Sequence, residues 1–284
     1  MDVITRPEEM AARSREIRQQ GRRIGFVPTM GFFHEGHLAL MRMAARHADV
    51  VVVSLFVNPI QFGENEDLDC YPSNWQRDCN LAEQEDVAIL FAPDRGAMYP
   101  DDFKTTVSVA QLPRYLCGAD RPGHFDGVTT VVCKLFNLIR PHAAVFGEKD
   151  YQQLAIIRQM VRDLNMGVDI LAHPIVREPD GLAMSSRNSY LDKELRKSAL
   201  SLSRAARLAR QRFADGERDT GVLARELTKY IQGYPAARIN YISFVDSRTL
   251  APVEHADENT LLALAVTIGG KVRLIDNTLL AGTD

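Results

Sequence analysis

Between Val50 and Val57 the chain carries one polar side chain, Ser54, in an otherwise apolar and mostly β-branched run. Such a run is predicted to be a strand buried on both faces of a parallel sheet, and it is far shorter than the roughly 20 residues of a membrane helix. The flanking segments change period. Pro7–Gln20 reads as a helix, with proline at its start and Gly21 as its stop. His37–Ala48 carries Leu38, Met41 and Ala45 at helical spacing. Helices are also predicted over Trp75–Gln84, over Val128–Ile139 (ended near Pro141) and over Tyr151–Leu164. Between them fall strands at Arg23–Pro28, Val87–Phe91 and Ala143–Phe146, then an extended stretch at Val168–Val176.

Strand and helix therefore alternate to about residue 176. That alternation predicts right-handed βαβ crossovers and an α/β fold, a parallel sheet with helices on both faces. Beyond it come two helices, Asp192–Ala214 and Thr220–Gln232. Strand-like stretches follow at Arg238–Val245, Thr260–Val266 and Lys271–Ile275. Helices followed by strands predict a smaller C-terminal α+β domain, so the chain is divided into 1–176 and 177–284. The turn residues Pro179-Asp180-Gly181 mark a hinge between Arg177 and Gly181.

Composition narrows the class. The 284 residues are 45% hydrophobic and 25% charged, with a net charge of −3, which is an ordinary globular balance without the basic footprint of a nucleic-acid binder. The polar start, Met1 to Glu9, lacks the apolar stretch of a secretory signal. Cys70, Cys79, Cys117 and Cys133 form no C-x-x-C pair, so they read as reduced thiols of a cytoplasmic protein and not as a zinc site.

In open α/β sheets ligands bind outside the carboxyl ends of the strands. After the first major strand stand Thr29-Met30-Gly31-Phe32-Phe33-His34-Glu35-Gly36-His37, and after the second Asn58-Pro59-Ile60-Gln61-Phe62. Gly147-Glu148-Lys149-Asp150-Tyr151-Gln152-Gln153 follows the strand at Ala143. Met184-Ser185-Ser186-Arg187 follows the stretch ending at Val176. These segments concentrate donors expected along one edge. A helix beginning near Gly36 offers free N–H groups to an anion, and Lys149 and Arg187 add positive charge. The set suits a polyphosphate undergoing substitution. Neither G-x-x-x-x-G-K-[ST] nor G-x-G-x-x-G occurs. Taken singly each motif has a plainer reading: the histidines as a helix cap, Lys149 as a surface charge, Ser185-Ser186-Arg187 as an ordinary loop, Asn58-Pro59 as a turn. A metal site is the weaker choice for the histidines, because their spacing is H-E-x-H, not H-E-x-x-H.

Taken together the segments become specific. Pro28-Thr29-Met30-Gly31 followed by His34-Glu35-Gly36-His37 resembles the H-x-G-H signature of the nucleotidyltransferase superfamily. Four stretches are similar to pantothenate synthetases: Phe56 to Phe62, Arg121 to Val128, Phe146 to Leu154 and Asp180 to Asn188. Arg273-Leu274-Ile275-Asp276-Asn277 completes the series, in family order from about residue 3 to 277. Two departures stand out. Phe32-Phe33 is bulkier than the pair expected before His34, which puts the nucleotide entrance in question. Ile268-Gly269-Gly270-Lys271 differs before Arg273.

The resemblance implies a Rossmann-like nucleotide- and pantoate-binding domain over 1–176 and a lid domain over 177–284. It also implies ligation of pantoate to β-alanine with ATP as co-substrate and Mg2+, through a pantoyl-adenylate. By matched position His34, His37, Lys149, Ser185, Ser186 and Arg187 are the catalytic candidates, with His37 as proton donor. ATP would also meet Met30, Gly31, Gly36, Gly147, Glu148, Asp150, Val176 and Met184. Pantoate would meet Gln61, Gln153 and Asn58, and Gln61 would border β-alanine. The magnesium ligands are not assigned. A homodimer in the cytoplasm is implied, without nucleic-acid or membrane partners. Two other readings share the motif: a transferase moving AMP or CMP to a different acceptor, and a nucleotide sensor without turnover.

Overall fold

The computed structural model of the chain describes residues 1–282 apart from 64, 65 and 67. It forms two compact units. The first comprises Met1–Pro113, Arg121–Glu148 and Gln153–Pro174; the second comprises Arg114–Asp120, Lys149–Gln152 and Ile175–Asp284.

From the N-terminus the elements are β1 (Asp2–Ile4), α1 (Pro7–Gln19), β2 (Ile24–Thr29), α2 (Glu35–His47), β3 (Val50–Leu55), α3 (Trp75–Gln84) and β4 (Ile89–Phe91). There follow α4 (Arg95–Met98), α5 (Leu116–Asp120, in the second unit), α6 (His124–Ile139), β5 (Ala143–Gly147), α7 (Tyr151–Asp163) and β6 (Asp169–His173). All neighbouring strands in the resulting six-stranded sheet are parallel, in the order β1-β4-β3-β2-β5-β6. The expected α/β class is therefore present.

Strand alternation explains the two layers. Val27, Val51, Val53 and Val145 pack in one cluster with Leu38 and Met41 of α2. On the other face Phe26 and Phe146 each meet the ring of Phe136 on α6, at 6.2 and 6.5 Å between centroids. Each such apolar side chain contributes roughly 1.5–3 kcal/mol when fully buried. β1 was not anticipated. Its three residues pair with Ile89–Phe91 at the sheet edge, and a strand so short leaves no legible period in the sequence. The stretch expected to run to Val176 ends as a strand at His173, just before Pro174.

The second unit contains α8 (Lys193–Ala214), α9 (Thr220–Gln232) and an antiparallel sheet of β7 (Ala237–Asp246), β8 (Thr260–Ile268) and β9 (Val272–Leu279) in that order. Asp192 caps α8 by accepting the N–H groups of Glu194 and Leu195 at 2.9 and 2.8 Å. Asp219 caps α9 through the N–H of Val222 at 2.9 Å. β8 is buried along its whole length. β9 extends past the expected Ile275 to Leu279, with the buried Asp276 and Asn277 still paired to β8. Pro179-Asp180-Gly181 forms the tip of a small hairpin, with Gly181 at φ +96° and the Met184 N–H donating to the Val176 carbonyl at 2.9 Å. That turn lies within the second unit.

Candidate active site

The chain moves from β2 outward through β3 on one side and returns through β5 on the other. The carboxyl ends of β2 and β5 therefore flank a topological switch point, the usual place for a ligand crevice in an open α/β sheet.

At the end of β2 the backbone turns sharply. The Thr29 hydroxyl donates to the Ser54 carbonyl at 2.6 Å and accepts the Gly31 N–H at 3.3 Å. Gly31 and Phe32 then take positive φ values of +86° and +53°. Such a backbone suits glycine and strains phenylalanine. The loop delivers His34 to the N-cap position of α2 and His37 to its first turn. Their rings stack at 4.1 Å, and the His34 N–H donates to His37 Nδ1 at 3.3 Å. With Nδ1 as acceptor, neutral His37 carries its proton on Nε2 and can donate from there. The bulky pair also finds its places. Phe33 is buried, with its ring 5.6 Å from that of His37. The Phe32 ring lies 5.6 Å from the Arg77 guanidinium.

Beyond β3, Asn58 is buried and fully engaged. Tyr99 O–H donates to its carbonyl oxygen at 2.8 Å, while its amide donates to Gln61 Oε1 at 2.9 Å and to the Gly127 carbonyl at 3.1 Å. Gln61 is thereby oriented: its oxygen is held, and its amide nitrogen donates to Met30 Sδ at 3.4 Å. Burial pushes the Tyr99 phenol well above its ordinary pKa, so it stays a donor. His124 Nδ1 meets the Gln61 carbonyl at 2.7 Å.

Gly127 on α6 completes the seat. A Cβ there would lie 2.5 Å from the Ile60 carbonyl oxygen and 2.6 Å from Gln61 Cα. Gly127→Ala is expected to lose about 1–3 kcal/mol of stability through overpacking, read as a lower urea midpoint. A midpoint equal to that of the parent would show that helix and turn separate freely.

Gln153 is half-buried on the first turn of α7, whereas its neighbour Gln152 is buried and donates to the Tyr115 carbonyl at 2.7 Å. β5 ends at Gly147, followed by a 3-10 turn over Glu148–Asp150.

In the second unit, desolvation lowers the Lys149 pKa, opposed by Asp150 and Asp276 and assisted by the charge of Arg187. Lys149, Asp150 and Arg187 are therefore electrostatic neighbours. Asn277 fixes the backbone of this lysine, donating to its carbonyl at 2.9 Å. Ser185 caps the 3-10 turn Ser186–Tyr190 by accepting the Arg187 N–H at 3.3 Å. Arg177 and Asp276 form a two-point ion pair at 2.7 and 3.0 Å. Asn188 ties the turn back to Glu178 at 2.6 Å.

Sequence reasoning missed Asp78, Tyr99 and Gly127, and it treated Asn58 as a pantoate contact. Asp78 left one signal: as a carboxylate four residues before Ala82, it shares the buried face of α3. Among the described residues, no three His, Cys, Asp or Glu side chains gather as a metal cage, and no helix is long and apolar enough to cross a membrane.

A parallel sheet with a histidine-headed helix at its switch point has the form of a nucleotide-using α/β enzyme. Comparison with known proteins makes that class specific. The family model described as pantoate-beta-alanine ligase matches residues 2–279. A pantothenate synthetase of Heliobacterium modesticaldum is 56% identical over 277 residues, covering 98% of each chain. A pantothenate synthetase structure from Thermus thermophilus superposes with a TM-score of 0.93 at 41% identity, covering 99% of this chain and 100% of that one. A Francisella tularensis pantoate-beta-alanine ligase, solved with beta-gamma ATP and beta-alanine, has a TM-score of 0.82 at 33% identity and covers 100% of this chain and 99% of its own. The chain belongs to the pantoate–β-alanine ligase family.

Proposed function

We infer that the chain condenses (R)-pantoate with β-alanine at the expense of ATP, giving pantothenate, AMP and pyrophosphate through a pantoyl-adenylate. The family match supports the reaction, and the Francisella relative supports both ATP and β-alanine as substrates. The observation that carries the chemistry is the His34–His37 pair at the head of α2, with the His34 N–H donating to His37 Nδ1.

In the first half-reaction the pantoate carboxylate attacks the α-phosphorus, the bond to the β-phosphate oxygen breaks, and pyrophosphate leaves. Negative charge grows on phosphoryl oxygens, and preorganised donors stabilise it. His37 Nε2–H and His34 meet the phosphates, with Met30, Gly31 and Gly36 beside the nucleotide. Lys149, Ser185, Ser186 and Arg187 supply further charge and donors to the triphosphate. Gly147, Glu148 and Asp150 hold the nucleotide, the Val176 backbone meets the base, and Met184 opens the phosphate-binding loop. In the second half-reaction the β-alanine amine attacks the acyl carbon and AMP departs, so no enzyme nucleophile is required.

Pantoate is held by the amide nitrogen of Gln61 and by Gln153. Asn58 acts through Gln61, because its own polar atoms are committed to protein partners. Gln61 also borders β-alanine. Magnesium would be carried on the triphosphate, whose oxygens and waters suit it, and would supply positive charge to the leaving pyrophosphate. Residues 1–176 would serve as the binding domain and 177–284 as a lid that keeps water from the adenylate. The cytoplasmic homodimer expected from sequence rests on family likeness alone.

The test is exchange of labelled pyrophosphate into ATP without β-alanine. Exchange that requires pantoate is the expected result. ATP binding without exchange would favour a nucleotide sensor, and exchange driven by another acceptor would favour a different transferase.

A further inference from the structure

The backbone between β2 and α2 takes positive φ at two successive residues, Gly31 and Phe32, and one carboxylate holds it. Asp78 lies on the inner face of α3 and is buried. Its Oδ2 accepts the Phe32 N–H and its Oδ1 the Phe33 N–H, both at 2.7 Å. The preceding glycine makes room for the carboxylate, because a Cβ on Gly31 would lie 3.1 Å from Oδ2. Arg77, next on the same helix, donates to the Phe33 carbonyl at 2.6 Å. Two neighbouring side chains of α3 thus grip both polar groups of Phe33 and the N–H of Phe32.

Successive N–H groups in a loop of this kind form a concave donor site for an anion. Here the anion belongs to the protein. Those two N–H groups are committed to Asp78 and not to a phosphate. The grip falls where φ is positive at a phenylalanine, a conformation that persists only where the surroundings impose it. His34 follows directly, and His37 takes its tautomer from the His34 N–H. The orientation of both rings is therefore set by where the loop ends.

We propose that Asp78, assisted by Arg77, is the positioning residue of the histidine pair, clamping the Gly31–Phe33 loop so that His34 and His37 face the reacting phosphates. This rests on the phosphate role given above to those histidines. Asp78 touches no substrate; it acts through the backbone. Buried acidic side chains are ordinarily paired with a cation or a metal. This one is satisfied largely by backbone donors, which is the pattern of a carboxylate that shapes a loop.

The test compares the parent with Asp78→Asn and Arg77→Met. Asparagine keeps the size but presents an amide NH2 to one of the two N–H donors, so one grip must fail. Pantoate-dependent pyrophosphate exchange at saturating ATP is expected to fall about 10²-fold in Asp78→Asn, the scale of an ångström-sized misplacement. The KM for pantoate is expected to stay near that of the parent, because the Gln61 cradle is untouched. Hydrogen exchange should show protected Phe32 and Phe33 amides in the parent and loss of protection there, with the sheet still protected, in Asp78→Asn. Arg77 is exposed, so Arg77→Met should fold normally and lose a smaller factor, again in kcat and not in KM.

Unchanged exchange in folded Asp78→Asn overturns the proposal. If that variant does not fold, parent-like exchange in Arg77→Met overturns it instead. Should the parent itself show no pantoate-dependent exchange, the reaction assigned above fails. The amide measurement then still decides the clamp, and unprotected Phe32 and Phe33 in the parent would refute it.

Discussion

Replacing His37 by alanine is expected to slow pantoate-dependent pyrophosphate exchange by about 10³-fold, the upper range for loss of one preorganised donor to a charged transition state. The expectation comes from the tautomer. His34 N–H occupies Nδ1, so the proton resides on Nε2, on a ring braced by Phe33 and stacked on His34. A donor fixed in this way gains strength only as charge develops on the phosphate, so the loss should fall mainly on kcat. Stability should change little, because the bond from the His34 N–H to His37 is worth about 1 kcal/mol. A folded His37→Ala protein exchanging at the parental rate would take His37 out of the catalytic set.

Lys149→Met is expected to move activity and stability in opposite directions. Desolvation lowers the pKa of this lysine, Asp150 and Asp276 oppose it, and Arg187 adds repulsion. The folded chain then binds the proton less tightly than the unfolded chain. Stability rises with pH between the lowered folded pKa and the ordinary lysine value, and the full penalty applies below that window. Methionine keeps the length of the side chain and removes the charge. The ligand-free protein should therefore melt a few degrees higher at pH 7, as expected where function has placed a charge against stability. Exchange should fall by about 10² or more, because a cation aimed at the triphosphate is gone. Calorimetry and the exchange assay read the two effects. A lower melting temperature would show that the ammonium is a structural partner of Asp150 and Asp276, and unimpaired exchange would separate it from the nucleotide.

The sequence made legible whatever depended on period or on capping. β3, α6 and α8 declare themselves through long apolar patterns. The strand ends that bear His34, Gln61 and Lys149 followed from the α/β alternation. What remained hidden depends on contacts distant along the chain. Asp78 meets Phe32 from 46 positions away, and Asn58 meets Gly127 from 69. No local propensity encodes such a meeting. Ionisable residues buried on helix faces, like Asp78, are the clue a sequence does offer, because desolvation makes that placement costly without partners. The bonds that occupy Asn58 were hidden for a related reason: an amide near a strand end does not show its partners in the sequence.

The second unit draws on three separate stretches of chain, and its late portion depends on the earlier two. Arg273 on β9 donates to Asp120 at 3.0 Å and to Cys117 at 3.1 Å. Asn277 on the same strand reaches the Lys149 carbonyl. A gene segment encoding 175–284 alone would leave both side chains without these partners. The unit is therefore a poor cassette for recombination. Point substitution is open to it as to any protein, but shuffling it between proteins would require the short 114–120 and 149–152 stretches to travel with it, which a single crossover cannot do.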